Sequence, residues 1–146
     1  MDIEKQRSYL ACYLVLIKDD QILLLKRANT GYEDGNYSMV AGHIDGGETA
    51  IGTMKREAKE EAGIEINPDD MKIVHIMHRN APDRNYIDFF IVANKWTGEI
   101  KNLEPQKCDD LSWFYLSKLP NNVIPYVKKA IENINSKEIY SEYGFE

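Results

Sequence analysis

The sequence predicts an α/β domain with a mixed β-sheet held between helical layers. Strand-like runs lie on either side of one helical segment in mid-chain, and a second, amphipathic segment follows near the end. Elements that alternate in this way bury a sheet against helices on its faces. A hydrophobic content of 43% over 146 residues supplies one sizeable core and is too little for two ordinary domains, so a single domain over 1–146 is expected.

Ser8 to Ile17 (SYLACYLVLI) is dense in aliphatic and aromatic residues and reads as a strand. Lys18-Asp19-Asp20-Gln21 reads as a tight turn, and Ile22 to Arg27 as the return strand of a hairpin. Ala28 to Asn36, with Gly31 and Gly35, is a loop, and Tyr37 to Val40 a short strand. Gly42 to Gly47 is expected to be a glycine-rich loop that brings backbone close to a ligand. Glu48 to Ala62 is a helix, because Ile51, Met54, Ala58 and Ala62 recur at helical spacing and Gly63 supplies a C-cap. Glu65 to Ile66 and Met71 to His78 read as strands around an Asn67-Pro68-Asp69-Asp70 turn. Tyr86 to Trp96 is the strongest strand signal of the second half. Gly98 to Asp110 is a long loop, Leu111 to Leu116 a strand and Pro125 to Ile134 an amphipathic helix, while Ser136 to Glu146 has no assigned state.

A net charge of −6 disfavours binding to long nucleic-acid backbones, which requires a basic face. A small polyanionic substrate remains open, provided bound divalent metal and a few basic residues neutralise the site. No apolar run approaches the roughly 18–20 residues of a membrane span, and MDIEKQRSYL lacks a signal-peptide pattern. Cys12, in an expected strand, and Cys108, in an expected loop, form neither a disulfide framework nor a zinc motif. His75 and His78, three apart on a strand, face opposite sides and make no metal pair. A cytoplasmic protein with reduced thiols, without a membrane partner, is the expectation.

The chemistry concentrates in Arg56-Glu57-Ala58-Lys59-Glu60-Glu61. On a helix, Glu57 lies one turn from both Glu60 and Glu61, so the three carboxylates project from one side. Like charges at that spacing repel by about 0.2–0.5 kcal/mol per exposed pair. One reading is an ordinary solvated acidic face. The other, favoured by the glycine-rich stretch alongside, is that a cation offsets the repulsion. Hard oxygen ligands point to Mg²⁺, or Mn²⁺, rather than zinc.

Gly42, Glu48, Arg56-Glu57-Ala58, Glu60-Glu61 and Gly63-Ile64, at their spacing across GHIDGGETAIGTMKREAKEEAGI, resemble the Nudix box of the Nudix hydrolases. Ala58 departs from that pattern, filling a place where the family usually has a larger aliphatic residue; the change concerns packing more than chemistry. The resemblance implies the Nudix α/β/α sandwich with a central mixed sheet. It also implies Glu57 and Glu61 as the firmest metal ligands, with Glu60 and the Gly42 carbonyl as further ones. Glu48 and Arg56 would hold the ligating carboxylates in place, the alternative being a surface ion pair worth under about 1 kcal/mol.

Beyond the box, Trp96-Thr97-Gly98-Glu99 followed by Glu104 resembles a stretch of MutT-type enzymes in which a loop glutamate reaches the metal site. Glu104 and Glu60 therefore compete as the general base. Arg27 matches a position that contacts substrate phosphate in MutT-like members, and His43 lies where a proton donor or phosphate contact is expected. The activity implied is Mg²⁺-dependent hydrolysis of a nucleoside diphosphate linked to another group, without a covalent enzyme intermediate. A nucleoside triphosphate cleaved to monophosphate and pyrophosphate is favoured. Another linked diphosphate (ADP-ribose, a nucleotide sugar or a dinucleoside polyphosphate) is the alternative, although the proline and tyrosine that mark such subfamilies are missing, with Arg79, Ala81 and Pro82 in those regions. A non-catalytic nucleotide-binding module is the reading from another class, opposed by the intact Arg56, Glu57, Glu60 and Glu61. A homodimer is a family-based expectation only.

Overall fold

The computed structural model describes residues 3–146. Met1 and Asp2, part of the stretch read as lacking a signal peptide, lie outside the described residues.

The chain runs β1 (Ser8–Val15), β2 (Ile17–Lys18), β3 (Gln21–Arg27), β4 (Tyr37–Ser38), β5 (Ala41–His43), α1 (Ala50–Ala62), β6 (Met71–Asn80), β7 (Asn85–Ala93), β8 (Cys108–Tyr115), α2 (Pro125–Asn135) and β9 (Tyr140–Tyr143). One sheet has the order β5-β1-β7-β6-β9. Within it β1 pairs parallel with β7 along its whole length, from Ser8↔Asn85 to Val15↔Val92, and antiparallel with β5 through Cys12↔Gly42. In the second sheet β2 and β4 pair along β3 at its two ends, and β8 pairs antiparallel with β3.

The apolar run of β1 is explained by burial on both faces. Ala11, Tyr13 and Val15 belong to a core packed on α2 residues such as Val127, Ala130 and Ile131. Cys12, Leu14 and Leu16 belong to a second core with Met54, Ala58 and Ala62 of α1. Successive strand residues point to opposite faces, so each layer takes alternate side chains. The expected arrangement of a mixed sheet between helices is present. Ala58 is fully buried in the core that α1 shares with β1.

Several local expectations need correction. The first strand does not form the hairpin; the chain leaves the first sheet at Leu16, and the two-residue β2 makes the hairpin with β3. Asp19 and Asp20, at φ 53° and 61°, form its turn in the left-handed region that Asp tolerates. Of Tyr37 to Val40 only Tyr37 and Ser38 are strand, as β4; Met39 and Val40 link it to β5. Gly42 lies in β5 rather than in a loop, because its backbone pairs with Cys12. Helix α1 starts at Ala50, where Thr49 Oγ1 accepts from the Gly52 N–H at 3.0 Å. Glu48 is in the turn before it. Gly63, at φ 71°, closes the helix as expected. Glu65 makes only an isolated bridge to Thr97, and Pro68–Asp70 is a 3₁₀ turn. Cys108 begins β8 instead of lying in the loop.

The residues of the tail lack a repeating apolar pattern, and tertiary contacts decide their state. β9 adds parallel to β6, and the buried His75 ring binds the Glu138 carbonyl at 2.7 Å and the Ser141 hydroxyl at 2.8 Å.

Candidate active site

Helix α1 is placed so that its charged side faces the β3–β8 edge across a cavity of about 500 Å³. Glu57, Glu60 and Glu61 line one wall, and Arg27, Glu104 and Cys108 line the others. Gly42 explains how Glu57 reaches this position. A Cβ there would stand 2.5 Å from the Glu57 carboxyl carbon, so only glycine in β5 admits the carboxylate. Glu61 is fixed from the other side, its Oε2 accepting from the Ala41 N–H at 3.2 Å.

Glu57 and Glu61 are held together in a partly dry setting. Burial raises the Glu57 carboxyl above its ordinary range. Burial, then the charges of Glu57 and Glu104, push Glu61 up to about 9. Two carboxyl groups forced together in this way retain a proton unless a cation replaces it. Mg²⁺ is commonly held by one or two carboxylates, keeping waters and substrate phosphates as its other ligands. The pair, beside the backbone of β5, fits a divalent cation of that kind. Among the described residues no group of three or more His, Cys, Asp or Glu side chains stands gathered as a metal site. The Gly42 carbonyl carries the Cys12 thiol on one side, at 3.6 Å. Burial, then the Glu57 charge, push that thiol up to about 12, which leaves it protonated and inert.

Arg56 ties the acidic wall together. Its Nε donates to Glu48 Oε2 at 2.8 Å, its Nη2 to Glu48 Oε1 at 3.0 Å, and its Nη1 to Glu57 at 2.9 Å and Glu60 at 3.2 Å. Glu48 also accepts from the Asp45 N–H and the Thr53 hydroxyl, both at 3.1 Å. The Arg56 hydrogen bonds, followed by the Asp45 N–H, hold its carboxyl down to about 2. Glu60 is the outlying member, 52% exposed against 15% for Glu57, and is already engaged by Arg56.

Glu104 reaches the site because its loop is stapled to the end of α1. The Lys101 and Leu103 N–H groups donate to the Ala62 and Glu61 carbonyls at 3.0 and 3.2 Å. Asn102 then fixes the turn, accepting from the Glu104 N–H at 3.1 Å and donating to the Cys108 carbonyl at 2.7 Å. The orphan carbonyls of a helix C-terminus thus position a residue forty-three places after Glu61.

Arg27 ends β3 and lines two cavities. Its Nε donates to the Tyr32 carbonyl at 2.8 Å and its Nη2 to Thr30 Oγ1 at 3.1 Å. The loop that holds it is braced by Asp34, whose carboxylate accepts from the Thr30 hydroxyl at 2.6 Å. The second cavity, of about 640 Å³, lies beyond Gly42 and is walled by Tyr32, His43, Arg79, Tyr86 and Tyr126. His43 therefore lies away from the carboxylate cavity, its ring 5.8 Å from that of Tyr86 and 6.2 Å from that of Tyr9. Tyr32, Arg79, Tyr86 and Tyr126, which line this cavity, and Asp88 behind Arg79 belong to no motif of the sequence. The available signal was Asp88, the one charged residue of β7, with Arg79 near the end of β6.

The model of the NUDIX domain matches residues 7–134. The chain belongs to the Nudix hydrolase family. This Nudix chain is 24% identical over 143 residues to the human 8-oxo-dGDP phosphatase NUDT18, covering 97% of its own length and 41% of that protein. It is 30% identical over 107 residues to the NAD-capped RNA hydrolase NudC of Stutzerimonas stutzeri, covering 73% of its own length and 37% of that protein. With the ADP-ribose pyrophosphatase of Methanocaldococcus jannaschii it shares 28% over 131 residues, 87% of the chain and 76% of that protein. It thus spans about two fifths of the first two relatives. Among solved structures, the MutT NUDIX hydrolase of Burkholderia pseudomallei superposes with a TM-score of 0.78 at 25% identity, over 87% of this chain and 98% of that one.

Proposed function

We propose that this Nudix protein is a Mg²⁺-dependent pyrophosphohydrolase of nucleoside diphosphate-linked substrates, acting on a nucleoside triphosphate to release the monophosphate and pyrophosphate. The observation that carries the reading is the Glu57–Glu61 pair, pressed together behind a glycine that a side chain would block. Arg56 and Glu48 orient that pair, and Arg27 offers charge to a phosphate.

Bound there, Mg²⁺ would supply charge neutralisation at the phosphoryl oxygens and a water of lowered pKa. The chain's own residues do the rest. Glu57 and Glu61 would hold the ion, with the Gly42 carbonyl next to them. Glu104 is the favoured residue to accept a proton from the attacking water, because Glu60 is hydrogen-bonded by Arg56 at 3.2 Å and is 52% exposed, whereas Glu104 is 30% exposed and meets only the distant Lys107 ammonium at 3.9 Å. The second cavity, on the far side of Gly42 and His43, receives the nucleoside.

The experiment is pyrophosphate and phosphate release from a panel of canonical and oxidised nucleoside triphosphates, ADP-ribose, nucleotide sugars and dinucleoside polyphosphates, with and without Mg²⁺. Pyrophosphate from a triphosphate supports the proposal. A second reading, hydrolysis of another linked diphosphate, is favoured by the coverage of the Methanocaldococcus jannaschii relative. Turnover confined to ADP-ribose or nucleotide sugars would select it. Nucleotide binding without metal-dependent turnover would leave a binding module.

A further inference from the structure

The second cavity contains an arginine whose hydrogen bonds are only partly used. Arg79 is buried, and its partner Asp88 is fully so. Its Nε donates to Asp88 Oδ2 at 2.6 Å, and its Nη2 to Asp88 Oδ1 at 3.1 Å and to the Tyr13 hydroxyl at 3.4 Å. The guanidinium also packs on two aromatic rings, with Arg79 Cζ 4.0 Å from the ring centroids of both Tyr86 and Tyr126. That leaves Nη1, whose N–H groups have no acceptor among the described residues. No buried side-chain nitrogen or oxygen there lacks a partner, so Nη1 opens onto the cavity that Arg79 lines.

This arrangement constrains what Arg79 can read. Two tyrosine rings already stand against the guanidinium, which leaves a base to meet it at the free Nη1 edge. The bidentate pairing with Asp88 neutralises the charge, so the edge attracts a neutral hydrogen-bond acceptor more than an anion. It also fixes the orientation of Nη1, a donor held rigidly in a desolvated wall. A base presenting an amino group there would leave two donors facing each other, an arrangement that such sites reject strongly.

We infer that Arg79 determines base specificity, selecting nucleobases that present a keto oxygen over those that present an amino group at the same position. This rests on the proposed nucleotide hydrolysis and adds a substrate class to it. Tyr86 and Tyr126 act on this choice through Arg79, by holding its plane.

The test compares bases that differ chiefly at that group. With Mg²⁺ present, kcat/KM for ITP should exceed that for ATP by about 10-fold or more. ITP against purine riboside triphosphate, which lacks the 6-substituent, should show loss in the same direction. Binding of IMP against AMP, measured by calorimetry without metal, should give the same order. The variant Arg79→Lys keeps a cation for Asp88 but loses the planar edge, and should bring the ITP/ATP ratio towards one by lowering kcat/KM for ITP more than for ATP. ITP/ATP and IMP/AMP ratios within about twofold of one, or inverted, in the unaltered protein would overturn the inference and leave the hydrolase reading intact. If no nucleotide is hydrolysed, the hydrolase reading fails separately, and the IMP/AMP comparison still decides the role of Arg79.

Discussion

A side chain on Gly42 would occupy the space of the Glu57 carboxylate, its Cβ standing 2.5 Å from Glu57 Cδ. The relationship joins strand β5 to helix α1 and sets where the acidic pair can meet a cation. Gly42→Ala should therefore damage the site more than the fold. The blocking contact is with the end of a flexible side chain, so the loss of stability should stay within about 1 kcal/mol. Mg²⁺ affinity or kcat should fall about 10- to 100-fold, the usual penalty for disturbing the support of a metal ligand. Calorimetry with Mg²⁺, beside a thermal melt, separates the two effects.

The raised Glu61 carboxyl makes stability depend on pH. Its folded value of about 9 exceeds the ordinary 4.5, so between these the native state holds a proton that the unfolded chain has released. Stability from this group is complete below about 4.5 and is lost as pH rises towards about 9. Metal-free protein should weaken across that window by roughly 1–3 kcal/mol, discounted because Glu61 keeps one side towards the cavity. Glu61→Gln should flatten the trend, and saturating Mg²⁺ should reduce it by taking the place of the proton. Urea midpoints at pH 5, 7 and 9 provide the check.

Arg56 and Glu48 should behave as one unit. Arg56→Lys loses the two-pronged grip on Glu48 and the contacts that reach Glu57 and Glu60, and should reduce kcat about 10- to 100-fold. Glu48→Gln should produce a loss of the same kind. The double variant should be little worse than either single one, whereas independent effects would multiply. Steady-state kinetics on the three proteins decide between these outcomes.

Glu104→Gln and Glu60→Gln should differ. Removing a general base lowers the rate by about 10²–10⁴-fold, and that loss is expected for Glu104→Gln, in kcat with KM nearly unchanged. Glu60→Gln should lose about tenfold or less, because Arg56 already engages that carboxylate. A larger effect at Glu60 would reverse the assignment.

Much of this architecture was legible because it is local. Met54, Ala58 and Ala62 recur at the helical period and are all fully buried, and Gly63 stops the helix where a left-handed residue is needed. The carboxylates of α1 followed from the same periodicity. What the sequence hid depends on distant partners. The passage of the chain between sheets at Leu16 leaves no mark, because residues on both sides of it are buried and apolar. Strand β9 exists through its contacts with β6. Gly42 read as loop because glycine signals turns more often than close approach within a strand. Arg79 and Asp88 acquire meaning only from the β6–β7 register, in which Arg79 pairs with Tyr86 and Met77 with Asp88, placing Arg79 and Asp88 diagonally on one face.

The measurement that bears most directly on the central claim is a Mg²⁺ titration of pyrophosphate release from a nucleoside triphosphate, run in parallel on the unaltered protein and Glu61→Gln. Turnover that saturates with Mg²⁺ in the first and is lost by 10²-fold or more in the second, at roughly the scale expected for a disrupted metal centre, is the predicted result. Equal turnover in both, or turnover indifferent to Mg²⁺, would contradict the assignment of Glu57 and Glu61 as the pair that holds the catalytic cation.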